Sequence, residues 1–422
     1  MSAYETIRSV TRRSTFLVLA GAAGILGFVY ESRVLLALFE ASLAFFILAW
    51  LYVVVASRRV GVRRELPPRA GEGDELDVAL RVEHRGILPG CLVEIGDWFP
   101  ADPLPEKSVL VSEFPRGASA ARVRYRAVCA RGRGRFTVGP LKVTVSDPLG
   151  FFRRTRTIAS LEEIIVFPRP FPIADLGLRI LQPGGQAEAA TFRRAGCTPL
   201  FCGTREYQPG DNPRSIHWRG SARWGELILK QFEAPSKVEV TCILDLNRAT
   251  LCGVGRSSNV EHAVRIAASV GDHAIRRGHP FQLVAQGEET VLLRPLPGPN
   301  RLAACLDALA CVRPNGSVPY GALLRRAAPL VSEGSLAILL FNTLDFDADA
   351  FRAVAASWHR KRVAGVAVLI DDRTFLPREE VRQAPDPARV AAAEALVREF
   401  GFRAYVVRCG DELARVFAGH VA

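Results

Sequence analysis

The feature that most constrains this chain is a pair of long apolar segments within its first sixty residues. Residues 16–30 are apolar and uncharged, and residues 34–56 are apolar except for Glu40. As a helix, the second segment spans roughly 34 Å, enough for a hydrocarbon core of about 30 Å, whereas the first reaches only about 22 Å. Because residues 31–33 allow no more than a tight turn, the pattern predicts a transmembrane helical hairpin over residues 1–57.

The charges around these segments predict how the hairpin is oriented. Arginines precede the first segment and follow the second, so the positive-inside bias puts both ends in the cytoplasm. This predicts a two-pass membrane protein whose soluble domains are cytoplasmic, and nine cysteines without a pairing pattern agree with a reducing compartment. In the alternative interpretation, residues 16–30 are a signal peptide and residues 34–56 an anchor of opposite topology.

Residues 58–170 have the alternating hydropathy of β-strands. Leu76, Val78 and Leu80, for example, alternate with polar or small residues, and turns containing Pro or Gly recur at short intervals. Many short strands between such turns predict an antiparallel β-sandwich of the immunoglobulin-like type.

The same region is rich in arginine. Arg122, Arg124 and Arg126 alternate with apolar residues and are therefore expected on one face of a strand. Such a face close to a bilayer would attract anionic headgroups at about 1 kcal/mol per charge, and the alternative is a solvated face without a partner. Nucleic acid is not predicted as a partner, because no aromatic residues interleave with these arginines.

Residues 236–422 alternate between strand and helix patterns. The apolar run 238–246 suits a buried strand, and residues 260–277 show helical spacing that ends at Gly278. Repeated alternation of this kind predicts a doubly wound α/β domain with a parallel sheet. Ligands of such sheets bind at the carboxyl ends of the strands, where Asp245 and Asp345 are expected.

The connector, residues 171–235, carries the most distinctive stretch, which we call the signature box. It has the pattern Arg-x-Tyr-x-Pro-Gly-Asp-x-x-Arg-x-Ile-x-Trp-x-x-Ser-Ala-Arg. Its residues are Arg205, Tyr207, Pro209, Gly210, Asp211, Arg214, Ile216, Trp218, Ser221, Ala222 and Arg223. Ile216 and Trp218 alternate with polar neighbours, and residues 227–232 are a plausible strand. Residue chemistry alone favours an ion-paired connector over an anion or peptide site, because the arginines lie among carboxylates.

The signature box resembles the defining stretch of bacterial domain-of-unknown-function family 58. Residues 131–140 and the motif Asp147-Pro148-Leu-Gly150 also resemble that family's sandwich segment, and the likeness covers essentially the whole chain. The resemblance implies a protein anchored in the bacterial inner membrane with a von Willebrand factor A-like domain, often encoded beside MoxR-type AAA+ ATPases. It thereby implies a protein partner, which we predict to be a MoxR-type ATPase or its client.

Von Willebrand factor A domains often bind Mg²⁺ through an Asp-x-Ser-x-Ser motif with a Thr and an Asp from later loops. At the matching place this chain has Asp245-Leu-Asn247-Arg248-Ala249. Ala249 offers no side-chain ligand and Arg248 adds an opposing charge, so we predict a degenerate site and no cofactor. The residues of the alternative, a functional Mg²⁺ site, would be Asp245, Asn247, Ser317 and Asp345.

Two functions of different classes follow from these features. The first is a membrane-anchored adaptor or scaffold that faces the cytoplasm and docks a protein through the signature box and the Asp245 end of the sheet. The alternative is a metal-dependent hydrolase that uses the strand-end site. The sequence contains no GxSxG elbow, HExxH pair or Walker loop, so we predict that the chain is not an enzyme. A purely structural envelope-associated protein is a third interpretation.

Overall fold

The computed structural model divides the chain into two compact units, Met1–Phe167 and Pro168–Ala422. The residues that the structure describes are 2–84, 92–111, 120–174, 176, 201–208, 216–232, 237–295, 298, 300–376 and 386–418. The finer division into segments ending at residues 57, 170 and 235 stays a prediction.

The chain begins with two helices, α1 (Ser2–Val29) and α2 (Arg33–Arg59). They run side by side, and glycines on α1 allow the close approach. A Cβ at Gly24 would lie 3.0 Å from the ring of Phe39, and one at Gly27 would lie 2.9 Å from the backbone of Leu36. Larger residues at these two positions would force the helices apart.

One helix among the described residues, α2, is long and apolar enough to cross a membrane. In α1 the apolar part is shorter and covers Arg13–Val29. The structure therefore carries one candidate membrane span near its amino terminus, whereas the two-pass arrangement stays a prediction.

The rest of the first unit is rich in β-sheet. Its strands are β1 (Val60–Glu65), β2 (Arg69–Gly71), β3 (Glu75–His84), β4 (Leu92–Trp98), β5 (Glu106–Val111), β6 (Ala120–Val128), β7 (Gly134–Val138), β8 (Leu141–Ser146), β9 (Arg153–Ile158) and β10 (Glu162–Phe167). They form three sheets with the orders β1-β3-β6, β2-β10-β7 and β5-β4-β8-β9. Every pair is antiparallel except β2 with β10, which is parallel, so the expectation of a wholly antiparallel region is wrong at that pair.

The inward residues of all three sheets share one apolar core, which includes Leu80, Ile95 and Ile164, each fully buried. The alternation seen in the sequence is the cause, because successive strand residues point to opposite faces. The end of α2 joins this core: Val53 and Ala56 are buried at 2% and 1% exposure. The helix therefore runs directly into the sheet-rich unit at β1.

The arginine-rich face differs from its sequence-based expectation. Arg122, Arg124 and Arg126 are exposed on one face of β6, as expected. However, Arg122 pairs with Glu65 of β1, and Arg126 lies 3.7 Å from Asp77 of β3. The face carries charges of both signs, because strands distant in sequence bring carboxylates beside the arginines.

The second unit is mixed α/β. Its strands are β11 (Phe201–Glu206), β12 (Ile228–Phe232), β13 (Val240–Asp245), β14 (Phe281–Gln286), β15 (Thr290–Leu293), β16 (Leu336–Phe341), β17 (Ala364–Ile370) and β18 (Arg403–Val407). Its helices are α3 (Trp218–Trp224), α4 (Asn259–Arg276), α5 (Arg301–Cys311), α6 (Tyr320–Ala327), α7 (Ala348–Arg360), α8 (Pro387–Glu399) and α9 (Leu413–Val416).

Six of these strands form one sheet in the order β15-β14-β13-β16-β17-β18. All neighbours are parallel except β14 with β15, which is a hairpin at the edge. Every residue of β13 and β16 is buried, as expected for strands covered by helices on both faces. The carboxyl ends of the parallel strands meet at one edge, which brings the ends of β13, β16 and β17 together.

Candidate functional site

The signature box is held together by a two-stranded ribbon. Strands β11 and β12 are antiparallel, and beyond the end of β11 the Tyr207 N–H donates to the Leu227 carbonyl at 2.9 Å. Ile216 forms a bridge with Leu229 of β12. The two sides of the box, represented by Tyr207 and Ile216, therefore lie against the same extended segment.

A short helix, α3, follows Ile216 in the chain. The His217 side chain caps it: its Nδ1 accepts a hydrogen bond from the Gly220 N–H at 2.8 Å. A Cβ at Gly220 would lie 2.5 Å from this nitrogen, so only glycine fits. The helix ends at Gly225, whose φ of 78° is left-handed. Cap and terminator together specify this helical turn, and the strand predicted over residues 227–232 is confirmed as β12, Ile228–Phe232.

Ser221 connects the helix to the ribbon. Its hydroxyl accepts from the Ile228 N–H at 2.9 Å and donates to the His217 carbonyl at 3.2 Å. Among the box residues whose burial the structure describes, Ser221 and Ile216 are buried, at 8% and 6% exposure. Both residues therefore hold α3 and the ribbon together and are not available to a binding partner.

The exposed residues of α3 are mostly aromatic or basic. Trp218 is 65% exposed and Trp224 76% exposed. Arg219, Ala222 and Arg223 are exposed on the same helix. Large indole rings are usually buried at least in part, so two exposed rings on one short helix are unusual, and we call the exposed residues of this helix together the α3 face.

The remaining members of the box are one strand residue, Arg205, and four residues that the structure does not describe. Arg205 lies in β11 opposite Leu229. Pro209, Gly210, Asp211 and Arg214 lie outside the described residues. Any role of these residues in binding stays a prediction.

The second candidate site is the strand end that begins with Asp245, the last residue of β13. Its Oδ1 accepts from the Asn247 N–H at 2.9 Å, and its Oδ2 accepts from the Thr250 hydroxyl at 2.8 Å. Burial raises the pKa of this carboxyl above its ordinary value, although the two hydrogen bonds act in the opposite direction. Both oxygens thus have partners in the loop that follows β13.

Two asparagines extend this network across the sheet edge. The Asn342 side chain, just after β16, donates to the Asp245 carbonyl at 2.8 Å. The Asn259 amide, at the start of α4, donates to the carbonyls of Thr250 and Asn342 at 2.6 and 2.8 Å. These buried bonds fix the relative positions of the loops after β13 and β16.

Beyond this network, Arg389 of α8 gathers three carboxylates, a group we call the Arg389 cluster. It binds Asp345 through two hydrogen bonds of 2.9 and 2.7 Å and Asp372 through one of 2.9 Å. Asp371 is 3.7 Å away, an ion pair too long for a hydrogen bond. The hydrogen bonds from Arg389 lower the pKa of Asp345. Burial raises the pKa of Asp371.

The four residues considered for Mg²⁺ do not fit that ion. Both Asp245 oxygens are already bonded, the Asn247 oxygen accepts from the Ala249 N–H at 2.9 Å, and Asp345 is bound to Arg389. Ser317 is exposed, one residue beyond the bridge between Asn247 and Gly316. Within the described residues, no group of three or more His, Cys, Asp or Glu side chains has a metal-binding arrangement.

Sequence reasoning missed several members of the strand-end site. Thr250, Asn259, Asn342 and Arg389 belong to no recognised motif, and their partners are distant in the chain. Asn342 follows a buried apolar run, as Asp245 does, and this position was the one signal that could have identified it.

The described residues therefore define a mixed α/β protein with a sheet-rich amino-terminal region, one candidate membrane helix and a parallel-sheet unit with a polar strand end. Comparison with known proteins supports the family resemblance. Residues 203–390 match the family model described as "Protein of unknown function DUF58".

Individual relatives are distant. The uncharacterized protein YeaD of Bacillus subtilis (strain 168) is 22% identical over 296 residues, which cover 68% of this chain and 71% of YeaD. Among solved structures, proximal thread matrix protein 1 from the mussel byssus matches with 11% identity and a TM-score of 0.31, covering 44% of this chain and 47% of its own. The DNA glycosylase AlkC of Pseudomonas fluorescens matches with 11% identity and a TM-score of 0.17, covering 32% and 39%. The chain thus spans less than half of either structure.

Proposed function

We propose that this protein is a membrane-anchored interaction module that docks a protein partner through the α3 face. The carrying observation is the exposure of Trp218 and Trp224, at 65% and 76%, on a helix that also exposes Arg219 and Arg223. Tryptophan and arginine are the residue types that most often dominate binding energy at protein interfaces.

The construction of the helix supports this proposal. The hydrogen bonds of Ser221 and the cap of His217 hold α3 on the ribbon in a defined position. A preformed surface loses less conformational entropy when a partner binds, so exposed rings on a braced helix are suited to recognition.

The partner proposed is a MoxR-type AAA+ ATPase or its client, as the resemblance to this family implies. The strand order of the six-stranded sheet, with its antiparallel edge strand, is in keeping with the von Willebrand factor A-like domain implied by the same resemblance. Anchoring by α2, together with α1 as the second arm of a hairpin, would hold the docking surface on the cytoplasmic side of the membrane. No observation favours the alternative of a metal-dependent hydrolase.

The test is co-purification of the full-length protein from native membranes. A Trp218→Ala/Trp224→Ala variant is expected to capture at least tenfold less AAA+ ATPase than the unaltered protein, since each hot-spot residue contributes about 2 kcal/mol or more. Trp98→Ala is the matched control, because Trp98 is also exposed, at 42%, but lies in the other unit.

Each outcome is decisive when the variants retain their fold by circular dichroism. Loss of the ATPase in the double variant alone supports the α3 face. Equal capture by all three proteins, or capture of no AAA+ ATPase by the unaltered protein, contradicts the proposal.

A further inference from the structure

The motif Asp147-Pro148-Leu149-Gly150 forms the turn between β8 and β9. The Asp147 carboxylate accepts hydrogen bonds from the N–H groups of Leu149 and Phe152, and its carbonyl accepts from Gly150 at 3.0 Å. Gly150 has a left-handed φ of 73°. Because the buried Asp147 holds the turn from inside, the side chain of Leu149 is displayed at its tip and is 53% exposed.

The turn continues into two phenylalanines that lie against the amino-terminal helices. The Phe151 ring is 5.2 Å from that of Phe16 on α1, and the Phe152 ring is 4.7 Å from that of Phe46 on α2. Leu149, Phe151 and the α1 residues beside them line an open, mainly apolar groove of about 450 Å³. Leu149 is exposed and the two phenylalanines are half-buried, so the turn and α1 together present a continuous apolar surface of the kind that marks a contact site.

The position of this contact along α1 is informative. Arg13, one turn before Phe16, donates to the Phe151 carbonyl, and its guanidinium carbon lies 4.9 Å from the centre of the Phe152 ring. Before Phe16, α1 is polar and charged, and after it α1 is apolar. The turn therefore meets the helix where a membrane-spanning segment would leave the headgroup region.

Helix α2 independently indicates that the turn lies at the level of the headgroup region. Trp50 is 51% exposed, whereas Tyr52 and Ala56 pack in the sheet-rich core. Tryptophan and tyrosine concentrate at membrane interfaces. Phe46 lies one helical turn, roughly 6 Å, from Trp50 toward the apolar centre, which is within the depth of about 5–10 Å that interfacial segments reach.

The charges around the tip complement a phospholipid surface. Arg153, which pairs with Glu94 at 3.1 Å, and the exposed Arg154 follow the turn directly. With Arg13 on the helix side, guanidinium groups flank the apolar tip. The aliphatic part of an arginine side chain can lie along acyl chains while its guanidinium group binds a lipid phosphate. Anionic lipids attract such positive charges.

We infer that the β8–β9 turn is an interfacial anchor, with Leu149, Phe151 and Phe152 buried among the acyl chains of anionic phospholipids in the adjacent leaflet. This inference rests on the membrane anchoring proposed above and adds a third point of attachment. The anchor fixes the orientation of the sheet-rich unit at the bilayer. It also limits the lipid-crossing part of α2 to about Val34–Trp50, roughly 25 Å, close to the length of the apolar part of α1.

The test replaces single residues with photo-crosslinking p-benzoylphenylalanine in the full chain, reconstituted in nanodiscs of phosphatidylglycerol and phosphatidylcholine. The sites are Leu149, Leu104 as control, and Phe28 as a reporter of helix insertion. Leu104 is 74% exposed and lies at the opposite end of the same sheet, because β4 pairs Leu92 with Ser146 at the end near the turn. Mass spectrometry measures the lipid adducts.

Adducts at positions 149 and 28, with at least tenfold less at 104, support the inference. An adduct at 28 without one at 149, or equal yields at 149 and 104, overturns the interfacial anchor and leaves the membrane helices intact. No adduct at either 28 or 149 overturns both the anchor and the proposed membrane anchoring.

Discussion

Each unit of this protein contains an arginine bound to carboxylates, and the two arrangements differ in their access to water. In the sheet-rich unit, Arg64 and Asp97 are 0% and 1% exposed and share hydrogen bonds of 2.8 and 2.6 Å. In the parallel-sheet unit, Arg389 is 10% exposed and its partner Asp345 is 70% exposed.

Further hydrogen-bond partners surround the buried Arg64–Asp97 pair. The Tyr125 hydroxyl donates to Asp97 at 2.6 Å, and Arg64 also donates to the Val138 carbonyl at 3.2 Å. Burial and the adjacent Asp97 carboxylate raise the pKa of Tyr125, so the phenol keeps its proton. This pair joins β1, β4 and β6 and belongs to the architecture of the unit.

The Arg389 cluster is different because three carboxylates share one guanidinium at a surface edge. Arg373 and Arg408 also act on these carboxylates, and Asp345 reaches water. Arginine and aspartate therefore form a buried pair in the core of one unit and a partly exposed cluster at the surface of the other. The degree of burial is what distinguishes the two arrangements. Three predictions test this comparison, from the largest expected effect to the smallest.

Asp97→Ala is expected to lower the free energy of unfolding by about 3–5 kcal/mol, because it leaves the buried Arg64 charge with only the partly exposed Glu162, 3.5 Å away, as a carboxylate partner. Urea unfolding in detergent micelles measures the change. Asp77→Ala is the control, since its pair with Arg126 is exposed and worth about 0–1 kcal/mol. Equal losses in the two variants would show that the Arg64 pair is not energetically enclosed.

Arg389→Ala is expected to cost less, about 1–3 kcal/mol, because water can partly compensate the carboxylates that it exposes. Arg389→Lys keeps the charge but loses the two-pronged geometry, so its loss should be smaller. The same unfolding experiment applies. A cost as large as that of Asp97→Ala would remove the distinction between the two clusters.

The smallest effect is the pH dependence of Asp345. Its lowered pKa means that its stabilisation is present above the unfolded value near 3.8 and is lost as the pH falls through the lower folded value. Asp345→Asn should therefore lower the thermal midpoint equally at pH 7 and pH 5, by the equivalent of about 1 kcal/mol or less, and less below pH 4.

Asp371→Asn is the matched variant with the opposite sign. The raised pKa of Asp371 means that its charged form opposes folding at neutral pH, an effect that disappears as the pH falls below its unfolded value. The variant should be neutral or stabilising at pH 7. A loss at pH 7 that equals that of Asp345→Asn would contradict the assignment of opposite shifts.

Much of the parallel-sheet unit could be predicted from sequence. The apolar run 238–246 contains β13, and the helical spacing over residues 260–277 matches α4, Asn259–Arg276. These signals are local. A strand buried on both faces is apolar along its whole length, and a glycine such as Gly278 ends a helix without help from distant residues.

The candidate site was less predictable. The position of Asp245 was correctly expected at a strand end, but its satisfied oxygens and the Arg389 partner of Asp345 depend on contacts between distant segments. In the signature box, the strand over residues 227–232 was predicted, whereas the short helix capped by His217 and ended by Gly225 was not. The cap and the stop of this helix are single residues, which hydropathy alone does not reveal.

The amino-acid sequence alone determined where this protein is apolar enough to meet a membrane, where it forms strands and helices, and which family it resembles. The tertiary structure decided which arginines are neutralised, which tryptophans stay exposed and where the Asp147 turn meets the helices. The physical reason is range: hydropathy period and turn chemistry act over a few residues, whereas burial and ion pairing depend on residues such as Arg64 and Asp97, which only folding brings together.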